Sequence, residues 1–186
     1  MMLRNVLMSA LCLLMLAAAP CLRADAAVAY DEEVSGDLSG DYTTPTILFL
    51  LPGSNEVAAS PGVLDTGDDL EYVNVAVPVG YRLSELRLLS YEGRDLTAFI
   101  GLQSGTEFTF HADDAFSHIN DMLGWSHVGP GAATPVGSDL LPAIAENGQT
   151  FVPPLSGSDY TFWIQQTGAE TDYRLDFVVT PVPEPT

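Results

Sequence analysis

The chain has 186 residues, with 25 acidic against six basic side chains and a formal net charge of −19. So negative a surface repels phosphate backbones and argues against a nucleic-acid partner, while it favours solubility and draws divalent cations. The length suits one domain, and the two cysteines, Cys12 and Cys21, both sit near the N-terminus, so no disulfide framework supports the rest.

The first stretch, MMLRNVLMSALCLLMLAAAPCLRADAAVAY, has the three parts of a secretory signal peptide. Arg4 gives the positive start, Val6 to Ala19 the apolar run, and Ala24-Asp25-Ala26 the small-x-small site after which signal peptidase cuts. Ala27-Val28-Ala29 offers a second site. The apolar run is shorter than the ~18 residues a membrane span needs. Pro20 stands before Cys21 where lipidation requires a small residue, so a lipoprotein is set aside. Residues 1–26 are therefore expected to be removed on export, leaving a mature chain with no cysteine and no membrane span.

Residues 27–45 form a polar, turn-rich lead-in. From residue 46 to residue 180, short runs rich in Val, Tyr, Phe, Thr and Trp alternate with Gly, Pro, Ser and Asp, which is how strands and turns read. TILFLL ends at Pro52-Gly53, and LEYVNVAV places Val73, Val75 and Val77 on one side with Glu71 leading the same parity. RLSELRLLSY and LTAFIGLQ follow, divided by EGRD. Near the end, Tyr160, Phe162 and Ile164 share one face, and so do Tyr173, Leu175, Phe177 and Val179, with Arg174 and Asp176 outside. This two-residue period predicts an all-β fold, an antiparallel, jelly-roll-like β-sandwich. Residues 111–155 break the pattern. Asp113 or Asp114 can cap a short helix carrying Phe116, Ile119 and Leu123, stopped by Gly124, and SDLLPAIA predicts one more turn. The segment reads as a long loop and short-helix excursion over one end or edge of the sandwich.

Few constellations carry chemistry. His111, His118 and His127 lie in the excursion near Asp113, Asp114 and Asp121, but their spacings match no motif for a transition metal, and none is expected. GDLSGD, Gly36 to Asp41, opens like an EF-hand loop and then fails, with Tyr42 where glycine is needed and Leu48 where a bidentate glutamate belongs. A different calcium site is the candidate: YDEE near the N-terminus together with Asp65, Asp68, Asp69 and Glu71, four acids in seven residues that repel one another without a cation. There is no G-x-S-x-G, no lysine and no mature cysteine for nucleophilic catalysis. Trp125, Trp163, Tyr81 and Tyr91 are candidates for a sugar-stacking platform, although Trp163 lies within a strand and fits the core better.

Val182-Pro183-Glu184-Pro185 resembles the core of the PEP-CTERM sorting signal of Gram-negative bacteria that make extracellular polysaccharide. The resemblance implies export and processing by an exosortase-type enzyme; the apolar span and arginines that follow the core in that signal are expected beyond Thr186. LEYVNVAVPVGYRLSELRL is similar to the heart of the bacterial pre-peptidase C-terminal domain, with Glu71, Tyr72, Pro78 and Gly80 at matching positions, and YTFWIQQTGAETDYRLDF resembles its closing hairpin. That family implies a β-sandwich, in some members calcium-bound and polymer-binding.

The expectation is a secreted, non-enzymatic protein of the cell surface or extracellular matrix of a Gram-negative bacterium. A module binding polysaccharide or protein, with calcium as its cofactor, is the alternative, and an uncharacterised hydrolase the third reading.

Overall fold

Two β-sheets face each other across one apolar core in the computed structural model, which describes residues 26–64, 67–148 and 151–184, without the side chains of residues 63–68. The strands in chain order are β1 (Ala27–Asp31), β2 (Thr46–Phe49), β3 (Asn55–Ala59), β4 (Gly62–Leu64), β5 (Gly67–Ala76), β6 (Tyr81–Gly93), β7 (Ala98–Ser104), β8 (Gly124–Val128), β9 (Leu155–Ser156), β10 (Asp159–Gln165) and β11 (Thr171–Pro181). Short helices are α1 (Glu32–Ser35), α2 (Ala115–His118) and α3 (Leu141–Glu146). The first sheet runs β1-β3-β11-β6-β9 and the second β2-β5-β10-β7-β8, with β4 added to β5. The expected all-β sandwich is the fold. Its pairings are antiparallel except at two edges, where β1 lies parallel to β3 and β2 parallel to β5. No described helix is long and apolar enough to cross a membrane.

The alternation in the sequence becomes the core. Val73 and Val75 of β5, Val77 just after it, and Phe162 and Ile164 of β10 meet Leu175, Phe177 and Val179 of β11, all buried. Phe162 and Phe177 touch edge to face between the sheets, with centroids 5.4 Å apart. β5 and β10 are buried on their outer faces too. There Leu70, Tyr72 and Trp163 join Phe108, Phe110 and Met122 in a second cluster, which the chain after β7 covers. That cover explains why Tyr72 and Trp163 stand between the inward-facing apolar positions of these strands.

Several expectations are corrected. The YTFWIQQTGAETDYRLDF segment is not a hairpin, because β10 pairs with β5 and β7 while β11 pairs with β3 and β6, in the other sheet. The segment 27–45 is more than a lead-in: it supplies β1 and α1, and Leu38 is buried in the main core. The excursion contains a strand, β8, whose pairing with β7 completes the second sheet. The expected helix there is one turn of α-helix between two 3-10 turns, Ala112–Asp114 and Ile119–Asp121. Phe116 points to solvent, 95 % exposed, while Ile119 packs on the second cluster. Asp176, expected outside, is buried because Ser54 and the backbone N–H of Asn55 donate to its carboxylate at 2.7 and 2.9 Å.

Candidate functional site

Glu71 is the most unusual residue in the core. Its parity on β5 matches Val73 and Val75, so the strand turns its side chain inward, and it is fully buried. From the facing sheet, the Tyr173 hydroxyl donates to its Oε2. Its Oε1 has no hydrogen-bond partner. Burial pushes the Glu71 carboxyl well above its ordinary range; the Tyr173 hydrogen bond opposes the rise, and the nearby carboxylates Glu32, Asp69 and Asp37 add to it.

Those neighbours arrive from two directions. Asp31, at the end of β1, caps α1 by accepting from the Glu33 N–H at 3.1 Å, which puts Glu32 in the first helical turn. The Glu32 carboxylate then accepts from the Leu38 and Ser60 N–H groups, both at 2.8 Å, tying the N-terminal segment to the β3–β4 turn. Burial raises the Glu32 carboxyl to about 6, those two hydrogen bonds pull against the rise, and Asp37 raises it further. Asp69, two residues before Glu71, is likewise raised to about 6 by burial, with Asp37 and Glu170 adding to it. Among the described residues, no Arg or His forms an ion pair with Glu32, Asp37, Asp69 or Glu71; the ion pairs are Arg87–Glu85, Arg174–Glu56, His111–Asp113 and His118–Asp121.

Of the residues picked out by sequence, Asp69 and Glu71 therefore share one acidic neighbourhood with Glu32 of YDEE. Asp65 lies outside the described residues, and of Asp68 only the backbone, paired with Val63, is described. Asp37, weighed only as an EF-hand position, joins the group, and Tyr173 was missed. No local pattern marks Tyr173, since its contact with Glu71 spans 102 residues. Chemically the group offers only carboxylate and phenol oxygens, which suits a hard cation such as calcium and not zinc or copper. Among the described residues no three His, Cys, Asp or Glu side chains are already drawn round one point at metal-ligand geometry.

The other candidates separate. His118 Nδ1 lies 2.7 Å from Asp121 Oδ2, His111 accepts from the Asp113 N–H at 3.2 Å, and His127 stands edge-on to Phe99 and Trp125. The supposed sugar platform is not assembled: Trp163 and Tyr91 are buried, and Trp125 stacks instead on Phe99, at 6.0 Å and 22°. Ala26 is exposed immediately before β1, and Ala24 lies outside the described residues. Val182, Pro183 and Glu184 leave the end of β11 exposed, and Pro185 lies outside the described residues.

The chain matches no protein-family model, no curated protein and no solved structure.

Proposed function

We propose that this is a secreted, non-enzymatic protein of the cell surface or matrix, whose single sandwich binds calcium at the carboxylates around Glu71. The observation that carries the calcium reading is the buried Glu71 Oε1, unpartnered, with Glu32, Asp69 and Asp37 close enough to raise the Glu71 carboxyl further. An ionised carboxylate in that position needs a counter-charge, and calcium takes six to eight oxygens from carboxylates, carbonyls and water. Glu71, Asp69, Asp37 and Glu32 would hold the ion. It would supply the positive charge that closes the N-terminal segment onto β5, and so fix the lead-in against the sandwich.

The export reading is supported by the three-part N-terminus and by the Val182–Pro185 resemblance. It also fits the start of β1 at Ala27, since a cut after Ala26 leaves the first strand whole and a cut after Ala29 divides it. A second reading, a module for extracellular polysaccharide, is favoured by the half-buried rings of Phe99 and Trp125, near-parallel at 22°, against which a sugar face can pack.

Calorimetric titration of calcium into the chelator-treated chain from Ala27 tests the site. Saturable binding that weakens in Asp69→Asn and persists in His118→Ala is expected, and absence of binding at millimolar calcium refutes it. Fractionation of a Gram-negative host expressing the chain with and without residues 1–26 tests export. Cytoplasmic retention of both forms would count against it, and a glycan array decides the second reading.

A further inference from the structure

The outer face of the second sheet carries a row of rings. Trp163 of β10, Gly101 of β7 and Trp125 of β8 are paired across neighbouring strands, and in the next row of the same face Gln165, Phe99 and His127 are paired in the same order. Gly101 has no side chain, so the Phe99 ring leans over it, with Cε1 and Cζ 3.1 and 3.4 Å from where a Cβ would stand. Its centroid lies 4.6 Å from that of Trp163 and 6.0 Å from that of Trp125. Trp163 is buried, Phe99 and Trp125 are half-buried, and His127 is exposed. The imidazole stands across both outer rings, at 76° to Phe99 and 89° to Trp125.

Free polar groups surround these rings. Among the described residues, no hydrogen bond holds the His127 ring nitrogens, the Gln165 amide or the hydroxyls of Thr97 and Thr167. Thr97 and Thr167 also line a depression of about 360 Å³ with Asp95, Leu96, Gln166 and Gly168, at the strand ends next to Phe99 and Gln165. Rings flanked by a few convergent polar groups suit a ligand that is apolar on its faces and polar round its rim. A pyranose with equatorial hydroxyls is such a ligand, since C–H groups fill its faces and the hydroxyls lie at its edge. At a net charge of −19 the body repels an anionic polysaccharide and accepts a neutral one.

We propose that Phe99, Trp125 and His127 form a subsite for a neutral, equatorially linked polysaccharide of the β-1,4-glucan type, which runs from these rings into the depression beside Thr97. Phe99 and Trp125 pack against the C–H face of one sugar. His127 and Gln165, on either side of Phe99 in the strand register, bond to the hydroxyls at its rim. Thr97 and Thr167 take the next unit of the chain. An α-1,4-linked chain coils and turns successive sugars away from such a row, so linkage is selected as well as charge. The inference rests on the polysaccharide reading above and is independent of calcium.

Calorimetric titration in chelator with cellohexaose, maltohexaose and an anionic polyuronate oligomer tests it, using the chain from Ala27, which holds every strand of both sheets. Cellohexaose should bind, and the other two at least about tenfold more weakly. Trp125→Ala should lose at least about tenfold in cellohexaose affinity. His127→Ala and Gln165→Ala should each weaken it several-fold at an unchanged melting temperature, since neither side chain belongs to a core cluster. Binding of maltohexaose or the polyuronate without cellohexaose overturns this inference and leaves the polysaccharide reading standing. Silence with all three probes overturns the inference, and a blank glycan array overturns the reading beneath it as well. Cellohexaose affinity unchanged in Trp125→Ala and His127→Ala puts the sugar elsewhere on the molecule and overturns the subsite.

Discussion

Replacing Glu71 by Gln separates a buried neutral carboxyl from a cation ligand. Gln keeps an acceptor for the Tyr173 hydroxyl and puts an amide where Oε1 finds no donor. In chelator, burial favours the protonated form of Glu71 in the folded chain, while the unfolded chain releases the proton around the ordinary value of 4.5. A folded value raised in this way stabilises at low pH and is lost as pH rises. Holding the proton at pH 7 costs up to roughly 3.4 kcal/mol, at 1.36 kcal/mol per pH unit. Glu71→Gln escapes that cost, and its unpaired amide replaces an equally unpaired acid O–H. The variant should therefore be more stable than the parent at pH 7 in chelator, by no more than that bound, and about equal at pH 4. Calcium reverses the order. At a hundredfold excess over its dissociation constant the parent gains about 2.7 kcal/mol, or roughly 5–10 °C in melting temperature for a domain of this size. The variant, one carboxylate short, should gain little. Thermal melts at pH 4 and 7, with chelator and with millimolar calcium, give all four comparisons. Equal calcium shifts in the two proteins, or a variant less stable than the parent at pH 7 in chelator, would refute the reasoning.

Three further outcomes follow from the same structure. Glu32 and Asp69, both raised to about 6, release their protons earlier in the unfolded chain, so in Glu71→Gln the chelated protein should lose stability between about pH 4 and 6 and level off above, while the parent goes on losing it through Glu71, as melts of both across that range will show. Asn55→Ala should cost about 2–4 kcal/mol in urea unfolding, because its side chain accepts from the Leu51 N–H and donates to the carbonyls of Leu51, Gly53 and Phe177, holding the β2–β3 turn to β11. Phe162→Ala, at the centre of the core, should cost about 3–5 kcal/mol, whereas Phe116→Ser, though drawn from a helical-looking pattern, should change urea stability by less than about 0.5 kcal/mol.

Alternation was legible wherever a strand has one face in the main core. It placed Phe162, Leu175 and Phe177 inside and gave Glu71 the inward parity of Val73 before any partner was known. The crowding of acids at residues 65–71 was legible too, because like charges close in sequence are close in space. Which sheet a strand joins was not. A turn such as QTGAET is polar and glycine-containing whether it returns to the neighbouring strand or crosses to the other sheet, so β10 and β11 read as a hairpin and are not one. Burial of Asp176 depended on Ser54 and Asn55 arriving from β3, and the second cluster on the chain after β7 folding over Trp163. The gathering of Glu32, Asp37 and Asp69 near Glu71, and the contact of Glu71 with Tyr173, join segments tens to more than a hundred residues apart. Local propensity acts over a few residues, so it sets which way each side chain points along its strand. The pairing of distant strands decides what that side chain faces, and only the closed sandwich brought Tyr173 and the N-terminal acids to the buried Glu71 carboxyl.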